Sequence, residues 1–137
     1  MDEDSKAGRD ALALVQAAWN EAAGRWDPDA FADLYTDDAL FYGGRPDHSV
    51  GAAAIRGYFA SYHDVIETGA LELVEQHVVR LAPACFLAQG FGYFSSVLRG
   101  KGASRSRLRT TWIIVRQDGR WKIRQHHFSA PPDAPPI

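Results

Sequence analysis

The chain has 137 residues, 46% of them hydrophobic, and a formal net charge of -2. That length and apolar fraction suit one folded domain and exclude a largely disordered chain. The charge balance argues against a general nucleic-acid binder, which needs a basic face. One cysteine, Cys85, leaves no internal disulfide; it sits in the apolar run Cys85-Phe86-Leu87-Ala88 and reads as a buried, inert thiol. The opening residues Met1-Asp2-Glu3-Asp4-Ser5-Lys6 lack the layout of a signal peptide, and no apolar run approaches the ~20 residues that span a bilayer. The expectation is a cytoplasmic protein with no membrane and no nucleic-acid partner.

The first half reads helical. Asp4 or Ser5 is a candidate cap for a helix running to about Gly24, with Leu12, Val15, Trp19 and Ala22 on one face. Asp27-Pro28 starts a short second helix, with Phe31, Leu34 and Tyr35 as its apolar side. A short strand follows over 39–42, then a loop over 43–49. A third helix is expected over 51–67, with Ile55, Tyr58, Phe59, Tyr62 and Ile66 as its buried stripe.

The second half reads as a strand meander: 70–81, 85–98, 104–116 and 121–129. Asp118-Gly119 is a two-residue hairpin signal between the last two strands. The Pro-rich ending over 131–137 is expected to be an extended tail outside a single domain over 1–130. The two-residue turn fixes a register in which Gln117 faces Arg120, Ile114 faces Ile123, Trp112 faces Gln125 and Thr110 faces His127. Alternation then places Trp121, Ile123, Ile114, Trp112, Gln125, Thr110 and His127 on one face, with Val115, Ile113, Phe128 and His126 on the other. A bulge between Ile123 and His127 would reverse the parity and turn His126 inward.

The local text carries a resemblance. Residues 27–39, from Asp27-Pro28 to Asp38-Ala39, resemble the second helix and first strand of SnoaL-like and ketosteroid-isomerase-like proteins. Gly51-Ala52-Ala53-Ala54-Ile55-Arg56-Gly57-Tyr58-Phe59 resembles their third helix. Arg109-Thr110-Thr111-Trp112, the stretch from Asp118-Gly119 to Lys122-Ile123, and His127-Phe128-Ser129 look like the ending of the branch with bacterial relatives of the calcium/calmodulin-dependent protein kinase II association domain. The resemblance implies the nuclear transport factor 2-like superfamily. Its fold is cone-shaped α+β, cystatin-like, with a curved, mostly antiparallel sheet wrapped around three N-terminal helices. The steroid isomerases of that superfamily carry a carboxylate base near the position of Gly43, where this chain has no Asp or Glu.

Candidate chemistry centres on His127, an imidazole at the polar end of an apolar face and able to exchange a proton near neutral pH. Thr110 and Gln125 would orient it or a ligand. Tyr42, Tyr58, Tyr62 and Tyr93 are candidate hydroxyl donors to a carbonyl, with Tyr42 and Tyr58 the leading ones, and Trp19 and Trp112 are candidate flat walls. Asp47 and His48 are placed near the pocket mouth. Arg105, Arg107 and Arg109 share one strand face and could take an anion or a partner subunit. No metal or cofactor is expected, since no Cys or carboxylate cluster and no phosphate-binding loop is present. The expected function is a small-molecule pocket, with cofactor-free isomerisation, dehydration or cyclisation by proton transfer as the implied chemistry. The alternative is a non-catalytic oligomerisation or ligand-binding module. A homodimer or larger homo-oligomer through the outer sheet face, centred on Ile113 and Phe128, is expected.

Overall fold

The computed structural model describes residues 3–137. Three helices, α1 (Glu3–Gly24), α2 (Pro28–Ala32) and α3 (Ala52–Ala60), accompany six strands. The strands are β1 (Tyr35–Tyr42), β2 (Ser49–Val50), β3 (Ile66–Ala82), β4 (Cys85–Leu98), β5 (Gly102–Gln117) and β6 (Arg120–Ser129). They form one curved sheet in the order β2-β1-β6-β5-β4-β3, antiparallel except for the β1/β6 pair. No helix among the described residues is long and apolar enough to cross a membrane.

Local sequence explains most boundaries. Asp27 caps α2 by accepting from the backbone N–H groups of Asp29 and Ala30, at 3.0 and 3.2 Å, with Pro28 in the first turn. Asp118 and Gly119 make the β5/β6 turn with φ of +52° and +79°. Other boundaries differ from the sequence reading. Helix α1 already includes Asp4 and Ser5, so neither is its cap, and the Asp4 carboxylate pairs with Arg80 at 2.8 Å. Tyr35 opens β1 instead of closing α2. Helix α3 stops at Ala60 because the β-branched Val65 and Ile66 lead into the long β3, where Ile66 pairs with Leu98.

Strand β3 lies at a sheet edge, and its main chain is covered by α1. Gln16 accepts from Leu73 N at 2.6 Å, while Asn20 accepts from Leu71 N at 2.7 Å and donates to Leu71 O at 2.8 Å. A free edge is thereby turned into a docking line for the helix. Midway along β3, Val74 pairs with Phe91 but His77 with Gln89, so Glu75 and Gln76 together oppose Gly90. Glu75 has a φ of +52°. A Cβ on Gly90 would run into the Glu75 carbonyl and stand 2.8 Å from Gln76 Nε2, so the bulge requires glycine there.

The core lies between α1, α2, α3 and the inner sheet face. Phe31 and Phe59 stack with centroids 3.8 Å apart, and Trp19 and Trp26 each meet Phe31 edge-on at 4.9 Å. Trp26 Nε1 donates to the Phe59 carbonyl at 2.9 Å, which pins the α1–α2 corner to α3.

Candidate functional site

Past this aromatic cluster the core opens into a cavity of about 180 Å³ between the inner sheet face and the helices. A cavity of about 150 Å³ suffices for benzene, so the space matches a small cyclic molecule. Trp19, Trp26, Phe59, Leu71, Phe94, Leu108 and Phe128 supply apolar walls, and Tyr58, Tyr62, Ser106, Thr110 and His126 supply the polar side chains. The lining contains no carboxylate, lysine, arginine or cysteine.

The β5/β6 hairpin decides which histidine reaches this space. Gln117 pairs with Arg120 and Ile114 with Ile123, as the turn dictates, but Ile113 pairs with Gln125. Arg124 is therefore an extra residue on β6, and parity reverses beyond it. Thr110 faces Phe128, Thr111 faces His127 and Trp112 faces His126. The inward placement expected for His127 is corrected: it is exposed on the outer face, its ring 5.3 Å from Tyr42. Phe128, expected with Ile113 at the centre of the outer-face interface, is corrected for the same reason: it turns inward and lines the cavity. His126 is completely buried.

The remaining candidates divide in the same manner. Trp19, Tyr58, Tyr62 and Thr110 line the cavity. Trp112 is on the inner face, buried against His126 at 4.7 Å, but forms core and not cavity wall. Tyr42 stands on the outer face, stacked on His48 at 4.4 Å. Tyr93 lies under Arg105, whose guanidinium is 4.0 Å from the ring centroid, and does not line the cavity. Gln125 sits beside Ile113 on the outer side of the reversed register. Asp47 and His48 occupy an exposed loop beside Arg45 and Ser61, apart from the cavity. Arg107 pairs with Glu75 at 3.2 Å, and Arg109 has no side-chain partner among the described residues. Burial pushes the half-buried Cys85 thiol up, toward lower reactivity.

Sequence reasoning did not single out Tyr35 and Gln76, and gave His126 only as the consequence of a bulge. Trp19 Nε1 donates to Tyr35 Oη at 3.2 Å, and Tyr35 Oη lies 2.8 Å from His126 Nδ1. An indole nitrogen only donates. The economical arrangement has Tyr35 accept from Trp19 and give its own proton to Nδ1. His126 then carries its hydrogen on Nε2, which is buried and has no partner among the described residues. Burial, with a smaller contribution from neighbouring His127, holds the imidazole well below its ordinary value and therefore neutral. Burial likewise pushes the Tyr35 and Tyr58 phenols far above their ordinary range, so both keep their protons.

At the other end, the Tyr58 hydroxyl accepts from Gly44 N at 2.8 Å. A Cβ on Gly43 would stand 2.5 Å from that hydroxyl, and one on Gly44 3.0 Å from the hydroxyl of Tyr62. The glycine pair, read from sequence as a loop signal, thus lets two tyrosine hydroxyls close over the β1 end. Arg45 lies 4.1 Å above the Tyr62 ring and fixes it from outside.

This architecture is shared. Residues 13–133 match the family profile described as the SnoaL-like domain. No curated protein matches the chain. Among solved structures, a Xanthomonas campestris protein named for the calcium/calmodulin-dependent protein kinase II association domain superposes with a TM-score of 0.81 at 23% identity, over 90% of this chain and 87% of that one. A nuclear transport factor 2-like superfamily protein from Salmonella enterica gives 0.77 at 16% identity, over 96% of both chains. A ketosteroid isomerase-like protein from Erwinia carotovora gives 0.71 at 17% identity, over 94% of this chain and 97% of that one. These likenesses concern the fold, which is nuclear transport factor 2-like. With the domain profile covering all but the two ends, the chain belongs to the SnoaL-like domain family.

Proposed function

We propose that the cavity binds a small, largely apolar cyclic molecule bearing one hydrogen-bond acceptor, and that His126 Nε2–H polarises that acceptor. The observation that carries this reading is the Trp19–Tyr35–His126 chain, which ends on a buried nitrogen without a partner among the described residues, at a largely apolar cavity. An unpaired buried donor costs about 1–3 kcal/mol, a cost that a bound acceptor removes. The reaction class is isomerisation, dehydration or cyclisation without a cofactor, through an enol or enolate oxygen, the carbon-bound proton passing to a water molecule because no lining side chain is placed as a base. The role expected of His127 passes to His126, and it changes in kind. Nε2 carries a hydrogen and Tyr35 will not yield its own, so His126 acts as a neutral donor to a developing oxyanion and not as a base. Tyr58 is the second candidate donor.

A second reading, binding without turnover, is favoured by one specific observation: the lining holds no carboxylate, lysine or cysteine to remove a proton. Assembly through the outer sheet face remains part of the proposal, since Val79, Leu87, Ile113, Leu40 and Val50 pair across five strands there. Leu40 connects to Ile113 through Gln125.

The test is in two stages. Calorimetric titration with small aryl and cyclic ketones should give binding that Leu108→Trp, which fills the cavity, abolishes; binding that survives that substitution contradicts the site. Deuterium uptake from D2O at the carbon beside the ligand's carbonyl, reduced at least ~100-fold by His126→Phe, separates turnover from binding alone.

A further inference from the structure

We infer that the cavity is built to select a bare acceptor, an aldehyde or ketone oxygen, over a hydroxyl of the same shape, because a second polar relay also ends in a donor: Gln76 sets Thr110. This rests on the reading of the cavity as a ligand site. Gln76 Nε2 lies 2.9 Å from the Phe91 carbonyl, 3.3 Å from the Val74 carbonyl and 3.1 Å from Thr110 Oγ1. Only the nitrogen of an amide can face two carbonyls, so the orientation of the Gln76 side chain is settled by its backbone neighbours. Nε2 has no lone pair to accept with, so toward Thr110 Oγ1 it acts only as a donor, its two hydrogens shared among the three oxygens. The Thr110 hydroxyl proton must go elsewhere, and it has no acceptor among the described residues.

Thr110 is 2% exposed and lines the cavity. It pairs with Phe128, two residues from His126, so Thr110 and His126 are diagonal neighbours on the inner face of β5 and β6. Each is fed from behind by an obligate donor, Gln76 in one case and Trp19 through Tyr35 in the other. Both therefore present a proton to the cavity. A carbonyl oxygen has two lone pairs and no hydrogen, and can take both. An alcohol oxygen can also accept, but its own proton then needs an acceptor, and away from the hydroxyls of Ser106, Tyr58 and Tyr62 the wall is apolar. Gln76 is a positioning residue: it touches no ligand, and acts by fixing which way the threonine proton points. The β3 bulge at Glu75–Gln76, which Gly90 permits, turns the Gln76 amide inward.

The experiment is a calorimetric titration of the purified protein with three near-isosteres, benzaldehyde, benzyl alcohol and toluene. Benzaldehyde is expected to bind at least ~10-fold more tightly than either, the cost of one unmade buried hydrogen bond. Thr110→Val, which leaves Gln76 its two carbonyl acceptors, should lower benzaldehyde affinity ~10-fold with toluene affinity unchanged; Thr110→Ser should restore it. In Gln76→Met, which removes the donor behind Thr110, the hydroxyl is free to turn a lone pair to the cavity, so benzyl alcohol should gain on benzaldehyde. Equal binding of aldehyde and alcohol, or Thr110→Val weakening all three alike, overturns the donor inference and leaves the cavity reading standing. Binding of none of the three overturns both.

Discussion

Tyr35 Oη stands 2.8 Å from Nδ1 of His126, with the two rings nearly parallel at 12°. Both residues are at most 1% exposed, so the bond is made where water cannot replace it. Tyr35→Phe keeps the ring packing against Phe41 and Phe59 but strands Trp19 Nε1 and His126 Nδ1. A loss of about 1–3 kcal/mol is expected from the unsatisfied groups, read from urea unfolding. A change below a few tenths would show that the chain is not polarised as described.

Acid should destabilise the fold through His126. Its folded value lies well below the ordinary 6.5, so between those limits the unfolded chain binds a proton that the folded chain does not. Stability is then full above pH ~6.5 and falls as pH drops below it, by up to about 1.4 kcal/mol per unit, until the folded imidazole itself titrates. The check is unfolding free energy against pH for the native chain minus that for His126→Gln. The difference should be flat above pH 7 and slope below ~6.5; a flat difference down to pH 5 would contradict neutral burial.

The helix-then-meander order, the Asp27-Pro28 cap and the Asp118-Gly119 turn were legible because each is a local preference. The cavity histidine was not, because one extra residue at Arg124 inverts every side chain beyond it, and a bulge leaves no reliable mark in composition. Tyr42 and Tyr93 look the same as Tyr58 in sequence; only sheet parity separates outer from inner. Gln76 and Tyr35 act through partners 34 and 91 residues away, a separation that residue pattern does not encode. Gly43-Gly44 did carry a signal, since paired glycines after a strand permit close approach, but not the identity of what approaches.

Gly43→Ala should be costly despite its small size. The new methyl would meet the Tyr58 ring and hydroxyl at 2.5 Å and Phe41 at 2.7 Å, all in well-packed surroundings. A destabilisation of about 1–3 kcal/mol is expected, with weaker ligand binding as Tyr58 is displaced. Thermal unfolding and the benzaldehyde titration check both; an unchanged midpoint would show that the β1 end is looser than described.

On the outer face, Val79 and Val50 are 53% and 60% exposed and Leu40 37%, around a half-buried Ile113. Covering this row in a homo-oligomer is the proposed explanation. Ile113→Arg at its centre should convert the assembly to monomer in sedimentation equilibrium, with the cavity's ligand affinity retained. A native chain that already sediments as a monomer at high concentration would remove the basis for the interface.

The most direct measurement is the protonation state of His126 by long-range nitrogen-15 correlation spectroscopy at neutral pH, with and without benzaldehyde. The account predicts a neutral ring with hydrogen on Nε2 and a bare Nδ1, and an Nε2–H resonance that shifts when benzaldehyde fills the cavity. A hydrogen on Nδ1, a charged ring, or an Nε2 signal indifferent to the ligand would contradict it.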